Sequence, residues 1–259
     1  LARLTAPHKD IADMSQFISR LSAAIFDVDG VLLASPHERA WREALVGLAD
    51  PARFTTAMYQ AHVAGKPRLP GALAALQALG VDDAAAHADA YAVRKQARLE
   101  ELIHGGAVMA FPDALRFVQA LRGLGWKMAV ASSSKNANAM LRQIRLADGT
   151  ALHDAFGANV CGRDLRAGKP DPEVFLLAAA ELKMPPASCF VAEDAPTGIE
   201  AARGGGMAGL GVARLGDAAL LQAQDATLVV TSLDEVALDA LAGGRLARKA
   251  AIVHPGKAA

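Results

Sequence analysis

Apolar positions along the chain fall into two kinds of pattern. Six short continuous runs, Ala23 to Phe26, Lys127 to Ala131, Ala158 to Cys161, Cys189 to Ala192, Met207 to Val212 and Thr227 to Val230, are too short for helices. Such runs suit strands buried on both faces, as in a parallel sheet. Between them, Asp113 to Gly123, Lys135 to Arg145, Pro172 to Lys183 and Thr197 to Arg203 carry apolar residues at helical spacing and end near Gly, Lys or Arg. Strand followed by helix, repeated, predicts a doubly wound α/β sheet. From about Pro36 to Gly106 the strand pattern stops and Ala-rich amphipathic segments replace it, notably Gly71 to Leu79 and Ala84 to Ile103. An all-helical insertion at 36–106 is therefore expected within a core of 22–35 and 107–240, its junctions near Leu33 to Pro36 and at Gly105-Gly106 acting as hinges. Residues 1–21 read as a polar lead-in and 241–259 as a loosely attached tail.

Composition narrows the class. Of 259 residues 53% are hydrophobic, which excludes disorder, and 27 Lys and Arg balance 27 Asp and Glu. A chain with no net charge has no broad attraction for phosphate backbones or anionic lipid, so neither nucleic acid nor membrane is an expected partner. With no apolar run of membrane-spanning length and no signal-like start, a cytoplasmic monomer is expected. Cys161 and Cys189 lie far apart in apolar surroundings and read as two buried free thiols, without a metal-binding spacing. The triplet Gly204-Gly205-Gly206 follows a helix and precedes a strand, so it reads as a helix-ending turn.

Four places carry candidate chemistry. Asp27-Val28-Asp29-Gly30 follows the first apolar run, which puts two carboxylates at the carboxyl end of a strand, where open α/β sheets bind ligands. Period-two alternation sends Asp27 and Asp29 to the same side, and Gly30 permits the turn. Solvated turn residues would give the same local pattern. Ser132-Ser133-Ser134, ahead of Lys135-Asn136, places hydroxyls and N–H groups at a helix start, suited to an anion or to ordinary capping. Gly168-Lys169-Pro170-Asp171-Pro172 sets a cation on a loop before a helix. Glu193-Asp194 ends another apolar strand with a second acidic pair.

This ordered set, D-x-D-G, strand-Ser, G-K-P-D-P and V-x-E-D, resembles the haloacid dehalogenase superfamily of phosphoryl-transfer enzymes over about Ala23 to Leu238. Within it, A-S-S-S-K-N, G-K-P-D-P-E-V-F and A-E-D-A-P-T-G-I-E-A-A look most like the β-phosphoglucomutase branch, and the helical insertion resembles that branch's mobile cap over a Rossmann-like core. The resemblance implies that Asp27 is a nucleophile forming an aspartyl phosphate, that Asp29 is the general acid and base, and that Ser132 and Lys169 hold the transferring phosphoryl group. It implies Mg²⁺ held by Asp27, Asp29 through its backbone carbonyl, Asp194 and, directly or through water, Glu193, with Mn²⁺ as an open substitute. In the cap, Gly65-Lys66-Pro67-Arg68 resembles the substrate-recognition segment. Arg68 is the best-suited group there for a sugar-borne phosphate or hydroxyl, with Lys66, His37, Ser133 and Asn136 as further substrate contacts. His37 would otherwise be an exposed residue of the first cap helix.

The presence of Asp29 speaks against a haloalkanoate dehalogenase, which lacks the second carboxylate. The connection from Asp27 to His37 is about two residues short and the Gly65 to Arg68 spacing is altered relative to the mutases. The resemblance therefore favours a phosphatase of small phosphosugars, with β-phosphoglucomutase as the alternative. A catalytically inactive metabolite-binding regulator is the reading from a different class.

Overall fold

The computed structural model describes residues 20–250; the expected lead-in therefore lies almost wholly outside the described residues, as does the end of the tail. Strands β1 (Ala23–Phe26), β4 (Lys127–Val130), β5 (Ala158–Asn159), β6 (Cys189–Glu193), β7 (Ala208–Val212) and β8 (Leu228–Val230) form one parallel sheet in the order β5-β4-β1-β6-β7-β8. The doubly wound architecture expected from the apolar runs is thus the one observed. Side-chain alternation along β1 divides the core. Ala24 and Phe26 pack with Phe117, Val130, Phe190 and Leu210 on one face; Ala23 and Ile25 pack with Ala129, Phe175, Ala178 and Val191 on the other. Phe26 is fully buried and meets Phe117, Phe156 and Phe190 edge-on at 5.9–6.4 Å between ring centroids.

Helices α5 (Pro112–Gly123), α6 (Ala137–Gln143), α7 (Glu173–Leu182), α8 (Pro196–Gly204), α9 (Ala218–Gln222) and α10 (Leu238–Ala242) cover the sheet or close its end. The boundaries expected for the core elements hold to within a residue, except the end of β5 and both ends of α6, which differ by two. β5 is regular only to Asn159, whose side chain accepts the Cys161 N–H at 3.0 Å, while the backbone beyond it stays bonded to its neighbour through Val160 N–H to Val130 and Gly162 N–H to Ser132, both at 2.9 Å. α6 begins after Asn136, whose N–H is taken by the Ser134 hydroxyl at 3.3 Å. Cys161 and Cys189 are both buried and unpaired, and burial pushes their thiols up to about 12 and about 11.

The segment between β1 and β4 holds α1 (His37–Glu43), α2 (Thr56–His62), α3 (Arg68–Ala78) and α4 (Ala84–His104). It has its own core, in which Trp41, Leu45, Phe54, Leu76 and Tyr91 are buried, and the Tyr91 hydroxyl donates to the Trp41 carbonyl at 2.8 Å. Its two connections to the sheet run side by side as β2 (Leu33–Ala34) and β3 (Met109–Ala110), an antiparallel pair with Leu33 opposite Ala110. Two residues per strand are too few to show any period, so the sequence pattern gave no sign of this pair.

The tail expectation is corrected for residues 243–249. Leu21 N–H donates to the Gly244 carbonyl at 3.0 Å, Ala237 N–H to Ala247 at 2.9 Å and Lys249 N–H to Glu235 at 2.7 Å, and Arg248 pairs with Glu235. Backbone pairing, invisible to a search for apolar runs, fastens this stretch to the core.

Candidate active site

The carboxyl ends of β1, β4 and β6 meet where the strand order reverses around β1, which leaves a crevice above them. Asp27 follows β1 directly, and its Oδ1 accepts a hydrogen bond from Lys169 Nζ at 2.6 Å. The same ammonium donates to Glu193 Oε1, the last residue of β6. All three side chains are 9% exposed or less. Glu193 Oε2 accepts the Ala195 N–H at 2.8 Å, so both its oxygens are engaged. Room for this side chain is made by Gly198, where a Cβ would fall 2.0 Å from the Glu193 carboxyl. Lys169 also lies 4.9 Å from the Phe175 ring centroid, a cation–π contact that further fixes it.

The electrostatics follow from burial and crowding. Burial opposes the Lys169 ammonium, yet the carboxylates of Asp27 and Glu193 outweigh it and hold the group protonated, above the ordinary lysine value. Burial raises the Asp27 carboxyl to about 7; Lys169 opposes that rise, while Glu193 and Asp29 add to it. Asp194 is likewise raised, by burial first and then by Glu193 and Asp27. One ammonium thus faces more negative charge than it can balance.

Asp194 reaches back toward the first loop. Gly30 sits at φ +76°, and a Cβ there would lie 1.9 Å from Asp194 Oδ2, so only glycine allows this approach. Two raised carboxylates and backbone oxygen in a cramped space match the hard-oxygen donor set of a small divalent cation. Among the described residues no three His, Cys, Asp or Glu side chains form a ready-made metal cage. A cation there would draw on Asp27 and Asp194, with Glu193 behind them engaged by Lys169 and the Ala195 N–H.

Asp29 is held from the insertion side. Its Oδ2 lies 3.4 Å from His37 Nε2, while its Oδ1 is buried without a partner. His37 Nδ1 is 2.9 Å from Lys95 Nζ, and His37 Nε2 is 3.4 Å from the Ser134 hydroxyl. Burial lowers the His37 imidazole to about 4, aided by Lys95 and opposed by Asp29. Burial also lowers Lys95 to about 7; Asp29 opposes that fall and Arg68 adds to it.

These groups open onto a cavity of about 480 Å³ between the sheet and the helical insertion. Asp27, Asp29, Ser132, Ser133 and Asp194 form part of the core wall; His37, Lys66 and Arg68 stand on the insertion side. Lys169 and Glu193 lie behind the wall, and Asn136, which precedes α6 without a capping side-chain hydrogen bond, is not part of it. Ser132 is buried, and its hydroxyl accepts the Ser134 N–H at 3.2 Å. The insertion presses on the core through its 64–67 loop: Ser133 donates to the Gly65 carbonyl at 3.4 Å and Thr197 to Ala64 at 3.5 Å. A Cβ at Gly168 would fall 2.2 Å from Pro67 Cγ.

Several residues of the site were not singled out from the sequence. Lys95 lies on the buried stripe Ala88, Tyr91, Ala92, Leu99, Leu102 of α4, 4.8 Å from the Trp41 ring centroid. A lone charge at an apolar helical position was the available signal. Tyr59, Gln60 and Arg214 also line the cavity. Arg214 follows the carboxyl end of β7, the same topological position that pointed to Asp27 and Glu193.

The model of the haloacid dehalogenase-like hydrolases matches residues 21–206, most of the chain. The protein belongs to that family. Its relatives place it in the β-phosphoglucomutase-like branch. A β-phosphoglucomutase of Mycobacterium bovis is 33% identical, the match spanning 84% of this chain and 92% of that protein. A phosphorylated carbohydrates phosphatase of Thermotoga maritima is 31% identical over 72% of this chain and 82% of its own length. The crystal structure of an archaeal β-phosphoglucomutase from Pyrococcus sp. strain ST 04 superposes with a TM-score of 0.68 at 31% identity, covering 86% of this chain and 99% of that one. The haloacid dehalogenase-like protein is accordingly an enzyme, of a branch whose named members include both mutases and phosphatases.

Proposed function

We propose that this enzyme is a Mg²⁺-dependent phosphoryl-transfer catalyst of small phosphosugars, working through an aspartyl phosphate on Asp27. The observation that carries the proposal is the pairing of Asp27, fixed by the buried Lys169, with an Asp29 oxygen that is buried without a partner beside the same cavity. In the first step an Asp27 carboxylate oxygen forms a bond to phosphorus, the bond from phosphorus to the substrate oxygen breaks, and protonated Asp29 gives its proton to that oxygen. In the second step Asp29 takes a proton from the acceptor hydroxyl, whose oxygen bonds to phosphorus as the bond to Asp27 breaks. Lys169 and the Ser132 hydroxyl offset the charge spread over the phosphoryl oxygens. Asp27, Asp194 and the Asp29 carbonyl would hold Mg²⁺, with Glu193 contributing by way of Lys169 or water. The ion supplies charge neutralisation, without which a carboxylate and a phosphate repel.

The sequence alone favoured water as acceptor, making the enzyme a phosphatase. Two observations support the mutase reading instead. The short connection still delivers His37 to Asp29, and Lys66, Arg68 and Lys95 line the insertion side as a second place for an anion. A sugar bisphosphate that must present either end to Asp27 needs such a place; a monophosphate losing its only phosphate to water does not. The test is incubation with β-glucose 1-phosphate and a trace of glucose 1,6-bisphosphate, assaying glucose 6-phosphate and free phosphate separately. Glucose 6-phosphate alone identifies the mutase, free phosphate the phosphatase, and neither product the inactive binder.

Metal removal gives an expected result with two readouts. Exhaustive EDTA treatment should abolish turnover, and millimolar Mg²⁺ should raise the melting temperature of the wild type by binding only the folded state. Asp194→Ala should raise the Mg²⁺ concentration for half-maximal activity by about tenfold or more, the scale of a lost charge-assisted contact. Full activity after chelation would overturn the metal assignment.

A second expected result separates cap from core. Arg68 stands at the start of α3 and lines the cavity from the insertion side. Arg68→Ala should reduce turnover of a phosphosugar by roughly tenfold or more, and that of acetyl phosphate much less. Equal losses on both substrates would reassign Arg68 to cap folding or to the chemical step.

A further inference from the structure

Arg214 leaves the end of β7 and turns back over the loop that carries Asp29. Its guanidinium uses all three nitrogens: Nε donates to the Gly30 carbonyl at 3.0 Å, Nη2 to the Val31 carbonyl at 3.1 Å and Nη1 to Asp113 Oδ2 at 3.0 Å. Its plane also lies over the Phe111 ring, 3.8 Å from the centroid. Asp113, in the first turn of α5, is itself fixed from the other side. The same Oδ2 accepts the Ser232 hydroxyl at 2.9 Å and the Leu233 N–H at 2.8 Å. Burial works against the ionised Asp113, but these donors, with Arg214, hold its carboxyl below the ordinary value. The side chains of Arg214 and Asp113 are 13% and 8% exposed.

The partners are informative by position. Gly30 and Val31 are the residues immediately after Asp29, and their carbonyl directions set how that turn is oriented. Phe111 begins the core after the return from the insertion, and its N–H donates to the Leu32 carbonyl at 3.0 Å. One guanidinium therefore joins the outgoing turn, the returning connection and, through Asp113, the segment after β8. A planar fork with donors in fixed directions suits three separate acceptors; an ammonium on a flexible stem does not. Arg214 borders the same cavity, but its three nitrogens are taken by Gly30, Val31 and Asp113, and nothing in the proposed chemical steps uses it.

We infer that Arg214, backed by Asp113, is a positioning residue that holds the Asp29 turn in register with Asp27 and anchors both connections of the helical insertion to the core. The functional half of this inference rests on the reaction proposed above, in which Asp29 moves the proton. A displacement of Asp29 of even an ångström would cost turnover while leaving the substrate's own contacts in place.

The test compares Arg214→Ala, Arg214→Lys and Asp113→Asn with wild type in two independent ways. In the kinetic arm, Arg214→Ala should lose about 100-fold in kcat on a phosphosugar and on acetyl phosphate alike, with KM changed less than about threefold. Guanidinium ion at tens of millimolar should restore at least tenfold of that loss, and methylammonium should not. Arg214→Lys should keep under a tenth of wild-type kcat. Asp113→Asn, which preserves shape and removes only charge, should lose about fivefold and covers the case in which Arg214→Ala does not fold.

In the second arm, hydrogen exchange at the Leu32, Leu33 and Phe111 amides should accelerate at least tenfold in Arg214→Ala, while amides within α3 and α4 keep their rates. Folded variants with kcat within threefold of wild type and unchanged exchange at these three amides would overturn the inference. A wild-type protein that turns over no phosphate ester would overturn the proposed reaction instead, and the exchange arm would still decide whether Arg214 is the anchor.

Discussion

Asp27→Asn is expected to reduce turnover of every phosphate ester by at least ~10³-fold, the scale on which removal of a covalent nucleophile acts. The substitution keeps the side-chain volume and leaves an oxygen able to accept from Lys169, so the loss would come from chemistry and not from packing. Stability should move the other way. Burial already pushes the Asp27 carboxyl up to about 7, which means the folded protein resists the ionised form that catalysis needs. A neutral amide removes that conflict, and Asp27→Asn should melt at the same temperature as wild type or higher. Sites tuned for reaction commonly sacrifice stability in this way. The measurement is kcat alongside thermal melting at one pH. Activity within tenfold of wild type would remove Asp27 from the nucleophile's role. A large fall in melting temperature would show that its main part is structural.

How far the site was legible depended on whether its parts lie in strand-end motifs or in helical packing. Asp27, Asp29, Ser132, Lys169 and Glu193-Asp194 follow apolar runs or turn signals, and a parallel sheet collects such positions at one edge whatever their distance along the chain. The structure brings Asp27, Lys169 and Glu193 into direct contact across 142 and 24 residues of sequence. What the pattern left open was direction. Glu193 faces inward to Lys169 and the Ala195 N–H, while its neighbour Asp194 faces the Gly30 turn, an alternation fixed only once the register of β6 against β1 and β7 is known. Asn136 has the right motif position but stands at the start of α6, outside the cavity lining.

The insertion was less readable because a helix buries a stripe without naming its neighbours. Lys95 and Tyr59 stand on cap helices separated in sequence, and the cavity joins them only after α2 and α4 pack on one shared core. His37 illustrates the same limit. Its spacing from Asp27 suggested a displaced residue, yet a tight turn at Gly30 and the β2–β3 pair bring its ring to 3.4 Å from Asp29. Chain length between two residues bounds their separation without setting it. The Arg214 contacts could not have been anticipated from composition or period, since three of its four partners are backbone groups or an aromatic face.

Lys169→Met is expected to have the largest combined effect on turnover and stability. The methionine fills the aliphatic part of the lysine volume and retains contact with Phe175, but it leaves Asp27 and Glu193 buried, close together and without their shared ammonium. Removing one partner of a buried ion pair leaves an uncompensated charge, at a cost of ~3–5 kcal/mol. Here two carboxylates lose the same partner, so the urea midpoint should fall by an amount in that range or above it. Turnover should fall by ~10²–10³-fold as well, because the transferring phosphoryl oxygens lose a preorganised positive charge. Glu193→Gln separates these effects. The amide keeps an acceptor for Lys169 and removes one of the two negative charges, but it turns its NH2 toward the buried Ala195 N–H, so stability should fall by ~1–3 kcal/mol, less than in Lys169→Met. Its kcat should fall less than that of Lys169→Met, since the ammonium stays near Asp27 with one anchor fewer. If Lys169→Met unfolds at the wild-type urea concentration, the pair of carboxylates is not ionised together in the native state. If Glu193→Gln is as inactive as Lys169→Met, Glu193 acts on the reacting groups directly and its assignment behind the cavity wall is wrong.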